Sequence, residues 1–315
     1  MRILPPSLSA IGLLTLVLMG ASPLRAEPPA GWNLAFSDEF DGQGLDTSKW
    51  STTMDFPGTH GPRYHNEFYQ SYTLDEDVIV RDGLLRLRTE RRPVSGQEPV
   101  GLFEYSQGLV STRNTFNFTY GYVEIRAKYP GGKGMWPCFW LMPENESAWP
   151  PEFDIAEYYG GQHKMHHGLA YGTMRETKWD SSGDTETDFV NAWHTIALEW
   201  TPGKAVWYVD GVARKTVIAD YVPSVPMYVI LSNSVSSRFG PSGEPDADTI
   251  FPNDFAIDYI RIYQPPPTLV VAKADPPPAK PEAPPTKPET PEPASAPAPE
   301  PARPIIAVLP ASPLP

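Results

Sequence analysis

The sequence predicts an all-β domain, folded as a two-sheet β-sandwich and followed by a disordered, Pro-rich C-terminal tail. Residues 85–89 and 123–128 alternate apolar and charged side chains, which is the period of a strand with one exposed face. Turn signals at residues 201–204 and 210–211 separate short β-rich runs, as in consecutive hairpins. No segment within residues 27–264 keeps a 3.6-residue apolar period. Many short strands without helices favour two packed sheets.

The chain begins with the features of a secretory signal peptide. Arg2 supplies a positive charge, residues 8–19 form an apolar run, and Ala21 or Ala26 offers a small residue for cleavage. The apolar run is shorter than the roughly 20 residues that a membrane-spanning helix needs. We therefore expect residues 1–26 to be a signal peptide, with no membrane span, and the protein to be secreted or periplasmic. The alternative is an N-terminal membrane anchor.

The other end of the chain has a different composition from the predicted domain, residues 27–264. From residue 265 to residue 315 it is rich in Pro, Ala, Glu and Lys. Proline removes donors from a sheet and holds the backbone extended, so this segment is expected to be a disordered tail outside the folded domain. The sequence does not identify a partner for the tail.

Charge and cysteine content exclude several classes of function. The 315 residues include 25 Lys and Arg against 38 Asp and Glu, a net charge of −13. A nucleic-acid partner is therefore not expected, because phosphate needs a basic face, whereas a neutral polysaccharide is compatible with this charge. Cys138 is the only cysteine, so an internal disulfide is impossible. Its apolar neighbours indicate a small buried side chain.

Three carboxylates fall within one short run, Glu152-Phe-Asp154-Ile-Ala-Glu157. On a regular strand Glu152 and Asp154 share a face and Glu157 lies on the other. A single bulged residue near 155–156 would bring all three onto one face. Retaining glycosidases use such paired carboxylates, one as nucleophile and one as proton donor. The alternatives are a solvated acidic edge strand or a calcium loop, although the apolar residues between the acids favour a strand.

This run resembles the active-site strand of glycoside hydrolase family 16 in its bulged, laminarinase-like form. Further segments resemble that family in the same order, from about residue 33 to residue 264: residues 36–40, 45–50, 120–128, 134–141, 193–200, 207–211 and 258–263. The resemblance implies a concanavalin-like jelly roll of two curved sheets, with an open cleft across the concave one. It also implies Glu152 as nucleophile, Glu157 as general acid/base and Asp154 between them.

The substrate-binding residues follow from the same resemblance and from the chemistry of sugars. Trp136, Trp140 and Trp149 are candidates, because a flat indole stacks on the C–H face of a pyranose; core packing is the alternative for each. Asn66 is expected to contact sugar hydroxyls or to bond its own backbone in a turn. His167 is expected either to contact substrate or to hydrogen-bond a neighbouring carboxylate.

A structural calcium ion is common in the family, and the resemblance places it on the convex side. The positions that look equivalent are Glu39, the Gly83 carbonyl and Asp258, whose oxygen ligands suit calcium. Hydrolysis itself is expected to need no cofactor. The histidines at 163, 166 and 167 are weak evidence for a metal site, because no further ligands accompany them.

The sequence departs from the family pattern around the subsites rather than at the acids, with Ala170, Leu109 and residues 232–237 in place of the usual residues. The expected function is a secreted, monomeric, endo-acting retaining hydrolase of β-1,3- or mixed β-1,3/1,4-glucan. The alternatives are a hydrolase of a galactan or bacterial exopolysaccharide, a transglycosylase, and a lectin-like carbohydrate-binding protein on the same fold.

Overall fold

The computed structural model describes a folded β domain. The described residues are 27–53, 63, 66–184 and 187–266. The predicted signal peptide and residues 267–315 of the predicted tail lie outside them. Within the described part of the chain, no helix has the length and apolar character to cross a membrane.

The described residues form eighteen β-strands and two short 3-10 helices. In chain order the strands are β1 Asn33–Asp38, β2 Ser71–Thr73, β3 Val78–Arg81, β4 Leu84–Glu90, β5 Val94–Gln97, β6 Val100–Phe103, β7 Tyr105–Gln107, β8 Leu109–Ser111, β9 Gly121–Lys128, β10 Met135–Pro143, β11 Glu152–Tyr159, β12 Lys164–Thr173, β13 Glu176–Asp184, β14 His194–Thr201, β15 Lys204–Val209, β16 Val212–Ile218, β17 Met227–Val235 and β18 Asn253–Gln264. The 3-10 helices are Asp75–Asp77 and Glu146–Ala148. The prediction of an all-β fold is confirmed.

Sixteen of these strands build two sheets, and β5 and β6 form a separate hairpin. The ten-stranded sheet has the order β16-β15-β14-β9-β18-β4-β7-β2, with β1 paired to β18 and β3 paired to β4. The six-stranded sheet has the order β13-β12-β11-β10-β17-β8. Neighbouring strands are antiparallel except β2 and β7, which are parallel. The two-sheet sandwich expected from the sequence is therefore present.

The hydrophobic core lies between the two sheets. Ile125 of the ten-stranded sheet and Phe139 and Phe153 of the six-stranded sheet are fully buried in one cluster. Burial of each such side chain contributes about 1.5–3 kcal/mol. The Trp207 indole also donates a hydrogen bond to the Asp154 carbonyl oxygen at 3.0 Å, which ties the ten-stranded sheet to the back of β11.

The other face of the six-stranded sheet carries a second cluster, and this cluster forms the floor of the functional site. Along β10 the side chains alternate, so Phe139 packs in the core while Cys138 and Trp140 belong to the second cluster. Cys138 is buried, as its sequence context predicts. Every residue of β10 is buried because both faces of this central strand are covered.

Candidate active site

A β-bulge in β11 brings the three acids onto one face. In the pairing with β10, Glu157 lies opposite Cys138 and Asp154 opposite Trp140, which leaves Ile155 as an extra residue. The pairing with β12 shifts over the same stretch, between Asp154 and Glu157. The predicted bulge near residues 155–156 is therefore confirmed, and its consequence is the predicted one.

The three acids line one cavity of about 680 Å³ on the outer face of the six-stranded sheet. Within the described part of the chain, the residues lining it are Asn66, Phe68, Tyr69, Trp136, Cys138, Trp140, Trp149, Glu152, Asp154, Glu157, Tyr159, His166, Met174, Trp179, Ser181, Phe239 and Pro241. Aromatic side chains thus surround the carboxylates, as in a site that binds the apolar faces of sugar rings.

Glu152 receives a short hydrogen bond that favours its ionised form. The Trp149 indole Nε1 donates to Oε2 of Glu152 at 2.6 Å. Burial raises the pKa of Glu152, and the Trp149 bond opposes that rise. A nucleophile has to be ionised, so this donor suits the role that the sequence assigns to Glu152.

The pKa of Glu157 is raised as well, and a neighbouring charge adds to the effect of burial. Burial, with the nearby negative charge of Glu152, raises the pKa of Glu157 to about 7, while hydrogen bonds from Trp136 and Tyr159 limit the rise. These bonds run from Trp136 Nε1 to Oε1 at 3.1 Å and from the Tyr159 hydroxyl to Oε2 at 3.2 Å. Glu157 therefore holds a proton up to about neutral pH, as a general acid must.

Asp154 lies between these two groups and is 3% exposed. Burial raises the pKa of Asp154 well above its usual range, and the charges of Glu157 and Glu152 add to the effect. A hydrogen bond between Asp154 and Glu152 favours protonated Asp154 and ionised Glu152. Opposite Asp154 stands Gly168, where a Cβ would lie only 2.8 Å from Asp154 Oδ2. Glycine at that position leaves room for the acid.

The three predicted tryptophans all line the cavity, but their exposure differs. Trp136 and Trp140 are 8% and 5% exposed, whereas Trp149 is half-buried. Tyr69 stacks on one face of Trp136, with ring centroids 4.6 Å apart and an interplanar angle of 2°. The Trp136 indole therefore packs against Tyr69 on one face. That contact does not exclude a sugar contact elsewhere on the ring.

Asn66 and His167 have different positions relative to the cavity. Asn66 lines it, and its Oδ1 also accepts a hydrogen bond from the Phe68 N–H at 2.9 Å, as in a turn. His167 is buried and does not line the cavity; its Nδ1 lies 2.7 Å from the Ile155 carbonyl oxygen, to which it donates. The position of His167 does not match the substrate contact expected from the sequence. It supports the bulge instead, and the neighbouring His166 faces the site.

The site also contains residues that the sequence did not predict. Tyr159 lies two residues after Glu157, so strand alternation was a usable signal for it. Trp179 and Phe239 are 51% and 61% exposed, and no local pattern places them at the cavity. Tyr69 reaches Trp136 from a loop that is distant in sequence.

Two of the predicted calcium ligands are engaged in ion pairs with arginines. Glu39 makes a two-pronged ion pair with Arg261 at 2.8 and 2.7 Å, and Asp258 pairs with Arg126 at 2.7 Å. Across the part of the chain that the structure describes, no group of three His, Cys, Asp or Glu side chains is placed to hold a metal. These pairs offset the charge of both carboxylates, and the calcium site stays a prediction.

A two-sheet sandwich whose cleft presents paired carboxylates among aromatic residues defines a carbohydrate-active protein of the glycosidase type. The family model described as glycosyl hydrolases family 16 matches residues 65–251. The chain belongs to this family, and the predictions of the family and of a glycoside hydrolase are confirmed.

Individual relatives and structures agree with this assignment. The beta-glucanase of Rhodothermus marinus is 31% identical over 278 residues, which cover 79% of this chain and 92% of that protein. Glucan endo-1,3-beta-glucosidase A1 of Niallia circulans is 30% identical over 263 residues, which cover 75% of this chain and 38% of that protein. The catalytic domain of an endo-1,3-beta-glucanase (laminarinase) from Thermotoga petrophila has a TM-score of 0.65 at 29% identity, covering 74% of this chain and 98% of that one. The predicted jelly roll is thereby confirmed.

Proposed function

We propose that the protein is a retaining endo-β-glucanase that cleaves β-1,3- or mixed β-1,3/1,4-glucan, with Glu152 as nucleophile and Glu157 as general acid/base. The main support is the contrast between the two carboxylates on one face of β11. Glu152 has a 2.6 Å indole donor, whereas the pKa of Glu157 is raised to about 7. Environments that give two neighbouring carboxyl groups different pKa values are typical of an acid and nucleophile pair.

The chemistry follows from these protonation states. The Glu152 carboxylate attacks the anomeric carbon and forms an ester bond to the sugar, while the glycosidic bond breaks and Glu157 gives its proton to the leaving oxygen. Glu157, now ionised, takes a proton from water, and the resulting hydroxide attacks the anomeric carbon and releases Glu152. Two inversions at that carbon retain its configuration.

The lining of the cavity supports a neutral glycan. Among the described residues that line it, none is a lysine or an arginine, and three are acids. The charge of Glu152 would repel a sulfate group, and the described lining offers no lysine or arginine to offset it. The relatives reported above are named as glucanases, which favours a glucan over a galactan.

Two active-site variants test the proposal. Glu157→Ala is expected to lose about 10²–10⁴-fold on laminarin and lichenan. On a dinitrophenyl β-glucoside oligomer, whose leaving group needs no proton, Glu157→Ala should keep kcat/KM and release a burst of dinitrophenolate, whereas kcat should fall because the second step lacks its base. Glu152→Gln should lose activity on both substrates. Near-normal hydrolysis by Glu152→Gln would contradict the assignment.

A matched control and the products complete the test. Glu244→Gln removes the same charge from an exposed position outside the cavity and should leave the rates unchanged. Product lengths followed over time distinguish hydrolysis, which only shortens the chains, from transglycosylation, which also yields chains longer than the substrate.

A further inference from the structure

The side of the cavity formed by the β12–β13 hairpin carries an aromatic residue that the reaction chemistry leaves unused. Trp179 on β13 lines the cavity and is 51% exposed. An indole of this size held half in water is a large apolar surface available to a ligand. Met174, in the turn of the same hairpin, lines the cavity as well and is 59% exposed.

Strand register fixes where Trp179 lies relative to the nucleophile. Glu152 is paired with Ala170, and Ala170 is paired with Trp179. Directly paired residues project from the same face of a sheet, so the three side chains form one row across β11, β12 and β13. Two inter-strand spacings separate Glu152 from Trp179, about 10 Å, which is on the order of two pyranose rings.

The residue in the middle of the row is small. Ala170 has only a methyl side chain, so it adds less bulk between Glu152 and Trp179 than a larger residue would, and it is itself fully buried under its neighbours. Ala170 is one of the positions at which the sequence departs from the family pattern. Glu152 and Trp179 line the same cavity, so one extended glycan bound there can reach both.

Contacts on the opposite face of β13 hold the strand that carries Trp179 in position. Asp180, next in sequence, projects from the opposite face of β13. Its carboxylate receives hydrogen bonds from Lys215 Nζ at 2.5 Å and from the Tyr221 hydroxyl at 3.0 Å. These contacts anchor the hairpin to the ten-stranded sheet, so the indole is presented by an ordered backbone rather than by a free loop.

We propose that Trp179 is a stacking platform for a glycan residue about two sugars from the cleaved bond, on the β13 side of the acids. This inference rests on the proposed function, because it takes Glu152 to mark the cleavage point. A platform at that distance contributes to the binding of long chains and contributes nothing to substrates too short to reach it. Trp179 is thus a positioning residue for the polymer.

Chain-length dependence tests the platform. Laminari-oligosaccharides of increasing length and laminarin are the probes, and kcat/KM is compared between the full-chain protein and its Trp179→Ala variant. The variant should lose roughly 3- to 10-fold on laminarin and the longest oligosaccharides, from the worth of one aromatic stacking contact. It should match the parent on the shortest substrate that is cleaved. Trp179→Phe, which keeps a ring, should recover most of the loss.

Binding separates a failure of the platform from a failure of the proposed function. Glu152→Gln is titrated with laminarihexaose by calorimetry, with and without Trp179→Ala, so that affinity is read without turnover. A 3- to 10-fold weaker Kd supports the platform even if the parent hydrolyses no glucan. Equal losses on short and long substrates, or an unchanged Kd, overturn it. Ile218→Ala, which removes a 77% exposed side chain from β16 outside the cavity, is the control and should change neither quantity.

Discussion

Replacing Tyr159 by Phe tests how the site sets the protonation of Glu157. The Tyr159 hydroxyl donates to Glu157 Oε2 at 3.2 Å, which stabilises the ionised form and lowers the pKa of Glu157. Without that hydroxyl, the pKa of Glu157 rises above its present value of about 7. Because Glu157 must be protonated to act as an acid, the basic limb of the pH–rate profile should move to higher pH.

The length of the hydrogen bond determines how far the limb moves. Strong O–H···O⁻ bonds are about 2.5–2.7 Å long, so a 3.2 Å contact is weaker, worth about 1 kcal/mol. That free energy corresponds to about 0.7 of a pH unit. At about pH 8 the protonated fraction of Glu157 then rises from about one tenth to about one third. The variant should therefore be roughly fourfold faster than the parent at that pH.

The assay is kcat/KM on laminarin over the range from about pH 4 to about pH 9. Tyr158→Phe is the matched control, because the Tyr158 side chain packs in the core and its hydroxyl lies 3.5 Å from His163 Nδ1. The control should leave the basic limb in place. A basic limb of the Tyr159→Phe profile that keeps its position or moves to lower pH would refute the role of this hydroxyl. An equal movement in Tyr158→Phe would refute it as well.

Two further variants probe the same carboxylates. Trp149→Phe removes the 2.6 Å hydrogen-bond donor to Glu152, so the pKa of Glu152 should rise. Activity on the acid limb of the pH–rate profile should then fall about tenfold. An acid limb at its original position would contradict this. Glu157→Gln should be more stable than the parent at high pH, because the native pKa of about 7 lies above the ordinary glutamate value of 4.5. The raised pKa stabilises the folded state by on the order of 1–3 kcal/mol below about pH 4.5. This stabilisation is lost as the pH rises through about 7. Urea denaturation at about pH 4 and about pH 8 measures it, and an equal stability difference at the two pH values would exclude the effect.

The arrangement of the acids could be predicted because it depends on local geometry. Alternation along a strand decides which face a side chain takes, and the odd spacing between Glu152 and Glu157 required one extra residue. Apolar residues between the acids required that segment to pack as a strand. These constraints act within a few residues, so they can be read without knowing the rest of the fold.

The choice between His166 and His167 could not be predicted, because it depends on pairing between strands. The bulge sets two residues of β11, Ile155 and Ala156, against the single residue His167 on β12. His167 then bonds the Ile155 carbonyl, and His166, paired with Glu157, faces the cavity. A shift of one residue in register would have exchanged the two histidines.

Long-range contacts account for the other differences. Glu39 pairs with Arg261, which is 222 residues away in the sequence, and Asp258 pairs with Arg126, 132 residues away. Each arginine bonds a carboxylate that the calcium prediction names as a ligand. The Tyr69–Trp136 stack likewise joins a loop to β10. Composition gives no sign of such pairings, because they are set by how the strands assemble.

Neutral donors explain how two carboxylates in one cavity reach different protonation states. An arginine beside them would lower the pKa of both, since its charge acts over several ångströms on every nearby acid. A hydrogen bond from an indole or a phenol acts on the single oxygen that accepts it. Trp149 gives Glu152 a 2.6 Å bond, while Trp136 and Tyr159 give Glu157 longer ones, at 3.1 and 3.2 Å. The shorter bond therefore stabilises the charge on Glu152, and that charge in turn raises the pKa of Glu157.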